Sequence, residues 1–367
     1  MPLPPPTIPP SGTPFRSTAW IQPGLNPNAA AVVGDTVVAI TTAGDSIVAL
    51  SASTGARLRS IAPPGGRLLR ECFNDVASSR AVLVFSCGDI VAVDRRTLVV
   101  LWRRSGVPAN NRPTIGGPDS STVFFITQSA RAAAVDARTG ALRWEREVQE
   151  AVGGGLLRPT VSGNTVVWAL RTTQLPDYGG LVGLDTETGQ IRFVSMTPPS
   201  LSPINRAAPL DGPAQLGTAL VTAGFDGQLY AFQPATGRVS WVGGVDSTIA
   251  SSGGQTRFIT ITPEVVIATS LSGLVNGYRV TDGSLAFSVL IGRGGSILDR
   301  PVVDGDRFFV CNLSGQLASV RLGAAPVVEW TTSGFTPEKL LRTVGVTPTH
   351  VIVGEFSSIQ RIAAVRR

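Results

Sequence analysis

The sequence has very few of the side chains that most catalytic and metal sites use. Among 367 residues there is one histidine, His350, and one lysine, Lys339, whereas arginine is abundant. A single histidine argues against a histidine-based metal site and against a Ser-His-Asp triad. His350 stands just ahead of an apolar run in "VTPTHVIV", and this position predicts a place at the surface or at the edge of a strand.

Cysteine is equally scarce. The three cysteines, Cys72, Cys87 and Cys311, are odd in number and scattered, which is not the pattern of a disulfide framework. Cys72 and Cys87 are spaced so that they could face each other across one hairpin. The sequence leaves open whether a bridge joins them, since the geometry of such a bridge is demanding.

Long uniform stretches are also missing. No apolar segment reaches about 20 residues, so we expect no membrane span. No block of like charges accompanies the net charge of +6, and we therefore expect no nucleic-acid partner. Short apolar runs alternate with polar turn clusters, and no amphipathic run has helical length, which favours an all-β protein.

The first residues, "MPLPPPTIPPSGTP", lack the apolar core of a signal peptide. Their proline density predicts an extended tail or linker over residues 1–13. Such a start is typical of a chain that follows a removed signal or anchor, or another domain.

One pattern recurs along the rest of the chain. It is clearest in "STVFFITQSARAAAVDARTGALRWEREV", which holds three apolar runs joined by a small-residue turn and a "TG" turn. Each unit is therefore interpreted as strands joined by hairpins, in which glycine supplies the positive φ of the tight turn. The turn positions are 42 to 49 residues apart, at Gly55, Leu98, Gly140, Gly189, Gly237, Gly283 and Pro326.

A bulky aromatic residue stands four residues after the turn in six of these seven units, and we interpret it as packing between neighbouring sheets. These residues are Trp102, Trp144, Phe193, Trp241, Phe287 and Trp330, whereas the first unit has Arg59. An eighth unit, residues 349–367, ends after two strands, and the N-terminal "FRSTAWI" supplies a lone strand with Trp20. We therefore predict an all-β, eight-bladed β-propeller of four-stranded antiparallel blades over residues 14–367, closed by the N-terminal strand pairing into the last blade.

The repeat phrase "AAVDARTGALRW", with looser copies such as "VGLDTETGQIRF" and "YAFQPATGRVSW", resembles the repeat of quinoprotein (pyrroloquinoline quinone, PQQ) type β-propellers. That family includes dehydrogenases, the lipoprotein propeller of the bacterial outer-membrane assembly machinery, and sensor domains of receptor kinases. The chain lacks the adjacent cysteine pair of the dehydrogenases, and acidic spots such as "VDGDRF" are spaced like hairpin turns rather than calcium ligands.

The resemblance therefore implies a non-enzymatic scaffold in the periplasm or at the cell surface, most like the outer-membrane assembly propeller. It would need no metal and no cofactor, and would hold protein partners through edge loops such as residues 170–183 and 195–217. The alternative is the sensor propeller of a receptor kinase, which would bind an anionic small molecule. A quinoprotein dehydrogenase is the third reading, and PQQ itself is one conceivable occupant.

Arginine recurs at one register position, just where the innermost strand of a blade should begin. It appears in segments such as "LLRPTVSG", "NNRPTIGG" and "LDRPVVDG", and only the first unit differs, with Ala29. The seven residues are Arg70, Arg112, Arg158, Arg206, Arg257, Arg300 and Arg342. We predict that they ring one mouth of the central channel. They would either bridge to the next blade or bind an anion, such as a carboxylate or phosphate, since the guanidinium fork suits both.

Overall fold

The structure is a computed structural model, and its strands belong to four-stranded sheets. It describes residues 13–63, 76–86, 89–107, 112–117, 119–127, 131–148, 156–171, 179–197, 212–224, 226–244, 256–291, 296–332, 335–336, 339–357 and 360–367. The proline-rich segment 1–12 and the possible Cys72–Cys87 bridge lie outside this range. The described strands form eight four-stranded antiparallel sheets, and the predicted fold class is confirmed.

Blades 1 to 4 take their strands in chain order from the channel outwards. Blade 1 has β2 (Leu25–Val33), β3 (Thr36–Thr41), β4 (Ile47–Ser51) and β5 (Arg57–Ile61). Blade 2 has β6 (Ala77–Ser78), β7 (Val82–Ser86), β8 (Ile90–Asp94) and β9 (Val100–Arg104). Blade 3 has β10 (Thr114–Gly116), β11 (Thr122–Ile126), β12 (Ala132–Asp136) and β13 (Leu142–Arg146). Blade 4 has β14 (Leu156–Ser162), β15 (Thr165–Arg171), β16 (Gly179–Asp185) and β17 (Ile191–Met196).

Blades 5 to 7 follow the same plan, and blade 8 borrows its outermost strand from the N-terminal segment. Blade 5 has β18 (Ala214–Leu216), β19 (Ala219–Ala223), β20 (Gln228–Phe232) and β21 (Val239–Gly244). Blade 6 has β22 (Thr256–Ile261), β23 (Val265–Ser270), β24 (Leu274–Arg279) and β25 (Leu285–Leu290). Blade 7 has β26 (Val302–Asp304), β27 (Arg307–Cys311), β28 (Leu317–Arg321) and β29 (Val327–Thr332). Blade 8 has β30 (Leu340–Val346), β31 (His350–Phe356), β32 (Arg361–Arg366) and β1 (Thr18–Pro23).

The middle strands of the blades are buried on both faces, because each sheet is packed between two neighbours. In β7, all five residues from Val82 to Ser86 are buried, so the strand is apolar throughout instead of alternating, as sheets covered on both faces are. The described residues contain eight apolar clusters, one at each junction between consecutive blades. The cluster that joins Leu25 and Val48 of blade 1 to Ile352 and Ile362 of blade 8 closes the ring.

The aromatic column packs between blades as predicted. The indole nitrogen of Trp102, in blade 2, donates to the carbonyl of Ala137 in blade 3 at 2.9 Å. A Cβ added to Gly140 in the next turn would lie 2.7 Å from the Trp102 ring. The same ring-on-glycine contact occurs at four other junctions, at Gly55 against Trp20, Gly189 against Trp144, Gly237 against Phe193 and Gly283 against Trp241.

The N-terminal strand closes the propeller as predicted. β1 pairs with β32, and Trp20 occupies the aromatic position of blade 8. Its indole nitrogen donates to the carbonyl of Ala52 in blade 1 at 2.9 Å. Upstream of β1, Phe15 forms a parallel bridge with Thr331 on the outer edge of blade 7. The segment is therefore bound to two blades in succession.

Blade 1 breaks the aromatic pattern, and the structure shows what replaces the ring. A guanidinium nitrogen of Arg59 donates to the carbonyl of Thr97 in blade 2 at 2.9 Å. The next residue, Leu98, takes the place of the turn glycine, and its φ is 61°. At the equivalent glycines, a Cβ would strike the aromatic ring of the preceding blade. Blade 1 presents Arg59 in place of that ring, so the turn of blade 2 can hold a leucine.

The single histidine lies at the start of a strand, which is one of the two positions predicted for it. His350 does open β31, but its side chain is buried instead of lying at the surface. Its Nδ1 lies 2.9 Å from Oγ1 of Thr349. Desolvation, with Arg366 nearby, holds the pKa of His350 below its usual value, so the ring is neutral at pH 7. Cys311 is a free, buried cysteine.

Candidate functional site

The candidate site is the end of the central channel at which the innermost strands begin. Antiparallel strands reverse direction at every hairpin, so the hairpins between second and third strands open on this same face. The connections from one blade to the next do so as well. We define the channel mouth as Asn28, Arg112, Arg158, Arg300 and Arg342, which all line one cavity of about 670 Å³.

Four of the seven predicted arginines meet in this cavity. Arg112 precedes β10, Arg158 lies in β14, Arg300 precedes β26 and Arg342 lies in β30. The structure thus brings together guanidiniums from blades 3, 4, 7 and 8. Arg70 and Arg206 lie outside the described residues. Arg257 is placed in β22 by its backbone, and its side chain is outside the described part of the chain.

Two of the predicted positions coincide with irregularities in the strand register. The register of β14 against β15 shifts between Leu156 and Pro159, around Arg158. The register of β22 against β23 shifts between Thr256 and Phe258, around Arg257. Bulges of this kind re-aim a side chain. At Arg158, the bulge accompanies a side chain that lines the cavity.

Arg342 contacts the neighbouring blade while it lines the cavity. One of its guanidinium nitrogens donates to Oδ1 of Asn28 in blade 1 at 3.4 Å. Desolvation lowers the pKa of Arg342 from 12.5 to about 10, which leaves the group charged at pH 7. The cation is half-buried and lines the cavity, so an anion placed next to it would interact more strongly than in bulk water.

A buried carboxyl group lies beside these arginines and joins blade 7 to blade 8. Oδ2 of Asp299 accepts a hydrogen bond from the backbone N–H of Thr343 at 2.9 Å and from its hydroxyl at 2.7 Å. The backbone N–H of Cys311 donates to the same oxygen at 3.3 Å. Desolvation is the largest influence on this group and raises the pKa of Asp299 from 3.8 to about 7.

Asp299 therefore links blade 7 to blade 8. The described contacts give its acceptor oxygen to the next blade, through Thr343. Sequence alone could not assign this role, because the same register position holds leucine, asparagine or threonine in the other units. The one available signal was an acidic residue at a place that is otherwise uncharged.

The innermost strand of blade 1, which lacks the arginine, forms one wall of the cavity. Blade 1 carries Ala29 in place of arginine, and Ala30, Ala31 and Val32 of the same strand line the cavity. β30 of blade 8 lines it over its whole length, from Leu340 to Val346. The site therefore has arginines around its mouth and a small, apolar wall along blades 1 and 8.

Among the described residues, no three histidine, cysteine, aspartate or glutamate side chains are grouped so that they could hold a metal ion. The described residues also include no helix with the length and hydropathy needed to cross a membrane.

The repeat, the ring of eight blades and the channel together define a propeller built from PQQ-type repeats. The family described as "Outer membrane protein assembly factor BamB" matches residues 9–168, 86–277 and 150–356 of the chain. These matches overlap and span most of the sequence, and the chain belongs to this family.

Solved structures share the fold at low sequence identity. The crystal structure of BamB from Moraxella catarrhalis is 18% identical, with a TM-score of 0.65, and the match covers 96% of this chain and 98% of that one. The computationally designed protein Ika8 is 13% identical, with a TM-score of 0.70, covering 94% of this chain and 97% of that one. At these identities the likeness concerns the fold alone.

A curated relative matches part of the chain. The serine/threonine-protein kinase AfsK of Streptomyces griseus is 28% identical over 151 residues, which is 38% of this chain. The matched region spans only 17% of the length of that kinase.

Proposed function

We propose that this chain is a binding propeller without catalytic activity, which acts outside the cytoplasm as a scaffold for protein partners. The observation that carries the proposal is membership of the BamB family across three overlapping matches, combined with a closed ring that needs no partner to complete its sheets. A role like that of BamB in outer-membrane assembly is the specific form of this proposal.

The channel-mouth face is the proposed partner surface. By strand order, β15 and β17 end at this face, and β16 and β18 begin there. The two long segments singled out by sequence, residues 170–183 and 195–217, lie partly outside the described residues, and we propose that they supply the partner contacts. Loops on a rigid scaffold are the usual place for recognition, since they vary without disturbing the core.

Site-specific photo-crosslinking in the native cells tests which face binds. Leu340, at the mouth, and Leu142, the first residue of β13 at the opposite face, are both exposed leucines, so they form a matched pair. The proposal predicts a discrete adduct with an extracytoplasmic protein from position 340 and none from position 142. Adducts from both positions alike, from neither, or with a cytoplasmic protein would contradict it.

We also propose that the chain does not act as a quinoprotein dehydrogenase. The sequence has no adjacent cysteine pair, and among the described residues no acidic cluster could supply the several oxygens that calcium needs. The mouth arginines suit the carboxylates of PQQ, but the rest of the expected set does not accompany them. Addition of PQQ and calcium should give no alcohol or sugar oxidation above background, and turnover that chelation removes would overturn this.

A second candidate function is supported by the site itself: the channel mouth binds an anionic small molecule, as a sensor propeller would. Four arginines from four blades line one cavity, and the similarity to a part of a protein kinase is in keeping with a sensing role. Any anion that binds the folded state should raise the melting temperature.

A further inference from the structure

The two ends of the cavity differ in polarity. The directions of β2 and β30 show which end lies at the channel mouth. β2 and β30 are both innermost strands and begin at the channel mouth. Near their starts, Arg342 contacts Asn28. Further along, a Cβ added to Gly345 would lie 2.7 Å from Val32. The two strands therefore run side by side along the channel, from a charged start to an apolar end.

The wall beyond the charged end is small and mostly apolar. From β2 it includes Ala30, Ala31 and Val32, and from β30 it includes Val344 and Val346. From Arg342 to Val346 the strand advances by about 13 Å at roughly 3.3 Å per residue. The cavity volume of about 670 Å³ is within the range of small-molecule sites.

We propose that this cavity binds a small carboxylate with an unbranched apolar stem. The carboxylate lies at the channel mouth beside Arg342 and Arg300, and the stem lies along β2 and β30 toward Val346. The proposal rests on the second function above, anion binding at the mouth, and adds the chemistry of the rest of the ligand.

The break in the arginine column makes this arrangement possible. An arginine at Ala29 would place a further cation beside the wall that the stem contacts, whereas alanine leaves that side uncharged. Leu340 and Phe356 add apolar surface at the rim of the cavity. A fully polar anion such as phosphate would leave this wall uncovered. A neutral apolar molecule would leave the arginines without a charged partner from the ligand.

The first experiment is a titration of the unmodified chain by calorimetry with acetate, butanoate, hexanoate and octanoate at constant ionic strength. Burial of each methylene should raise affinity about fourfold, so octanoate should bind far more tightly than acetate. 1-Octanol, which has the stem without the charge, should bind much more weakly than octanoate.

The possible results separate the two proposals. If acetate and octanoate bind equally, the apolar stem is wrong while anion binding stands. If 1-octanol binds as tightly as octanoate, the carboxylate position is wrong. If inorganic phosphate, acetate and octanoate all fail to bind, anion binding at the mouth is wrong, and this inference is wrong with it.

A variant series tests the placement of the two ends. In Arg342→Gln, every carboxylate should lose about tenfold or more in affinity, because a charge-assisted hydrogen bond is lost. The fourfold gain per methylene should be unchanged, since the stem lies elsewhere. Arg57→Gln, which removes an exposed arginine of the outer strand of blade 1, is the matched control and should leave all affinities as they were.

The variants have their own contrary outcomes. An equal loss in Arg57→Gln and Arg342→Gln would show that net charge, not the mouth, drives binding. A loss in Arg342→Gln that grows with chain length would place the stem against the arginine and overturn the order of the two ends. The titration of the unmodified chain remains decisive if Arg342→Gln fails to fold.

Discussion

Oδ2 of Asp299 accepts two hydrogen bonds from Thr343, one from its backbone N–H at 2.9 Å and one from its hydroxyl at 2.7 Å. The two residues belong to successive blades, 7 and 8, and they sit next to Arg300 and Arg342 in the sequence. The junction beside the channel mouth is thus tied by a buried carboxyl group whose pKa is raised to about 7 by desolvation.

This carboxyl group should make stability depend on pH. Because the pKa of Asp299 is higher in the folded state than its ordinary 3.8, the folded state holds a proton that the unfolded chain has released between those two values. The free energy of unfolding should therefore fall as pH rises from about 4 to 7, by at most about 1.4 kcal/mol per pH unit. Urea unfolding of the unmodified chain and of Asp299→Asn across this range measures the effect, and the variant should show a weaker slope. Identical slopes would contradict the assignment.

Ring closure by the N-terminal strand predicts a sharp difference between two truncations. Removal of residues 1–12 should leave the melting temperature nearly unchanged, because β1 and its contacts remain. Removal of residues 1–22 takes away the Trp20 contact with Ala52 and most of the strand that covers β32, leaving an open sheet edge. Thermal unfolding should show a drop of many degrees, or aggregation. Two truncations of equal stability would rule out the closing role.

The turn glycines should be intolerant of a side chain for two separable reasons. Gly140 and Gly163 both have positive φ, at 71° and 57°, so alanine at either position is strained by about 1 kcal/mol. A Cβ at Gly140 also meets Trp102 at 2.7 Å, whereas nothing lies within 4 Å of one at Gly163. Gly140→Ala should cost about 1–3 kcal/mol more than Gly163→Ala in chemical unfolding. Equal losses would mean that the ring contact contributes nothing.

The pairing of Arg59 with Leu98 predicts coupled substitutions. Arg59→Trp alone should destabilise the chain, because a ring in that position would meet the leucine side chain at the next turn. Leu98→Gly alone should also be destabilising, because Leu98 is buried. Together the two changes recreate the contact seen at other junctions, so their effects should be non-additive by about 1 kcal/mol or more in the stabilising direction. Additive effects would show that Arg59 at the aromatic position and Leu98 at the turn-glycine position are unrelated.

The repeat determined most of the fold, and the sequence could therefore predict it. The spacing of the turn glycines and the aromatic four residues later fixed the blade number, and Trp20 without strands before it pointed to closure. The arginine register was equally visible, since it recurs once per unit. The Asp299–Thr343 link was not visible, because it joins positions in different units and the other units have no aspartate at the position of Asp299.

Other features of the site depend on backbone detail. The register shift around Arg158 is set by how β14 pairs with β15, which residue types alone do not specify. His350 was predicted at the surface or at the edge of a strand, and the burial of its side chain at the start of β31 was not predicted. The position of the cavity toward blades 1 and 8 follows from Ala29 and from the close approach of Gly345 to Val32, a contact between residues more than 300 positions apart in the sequence.

The most direct test of the central claim, an anion-binding channel mouth, is the melting temperature in citrate or phosphate relative to chloride at matched ionic strength. The unmodified chain should melt at a higher temperature in the multivalent anion, with a smaller difference at high salt. The double variant Arg300→Gln/Arg342→Gln should remain folded and lose most of this difference, whereas Arg57→Gln should keep it. If the double variant keeps the full anion response, or if it unfolds while anions never stabilised the unmodified chain, the arginines fix the blades to one another and the mouth is not an anion site.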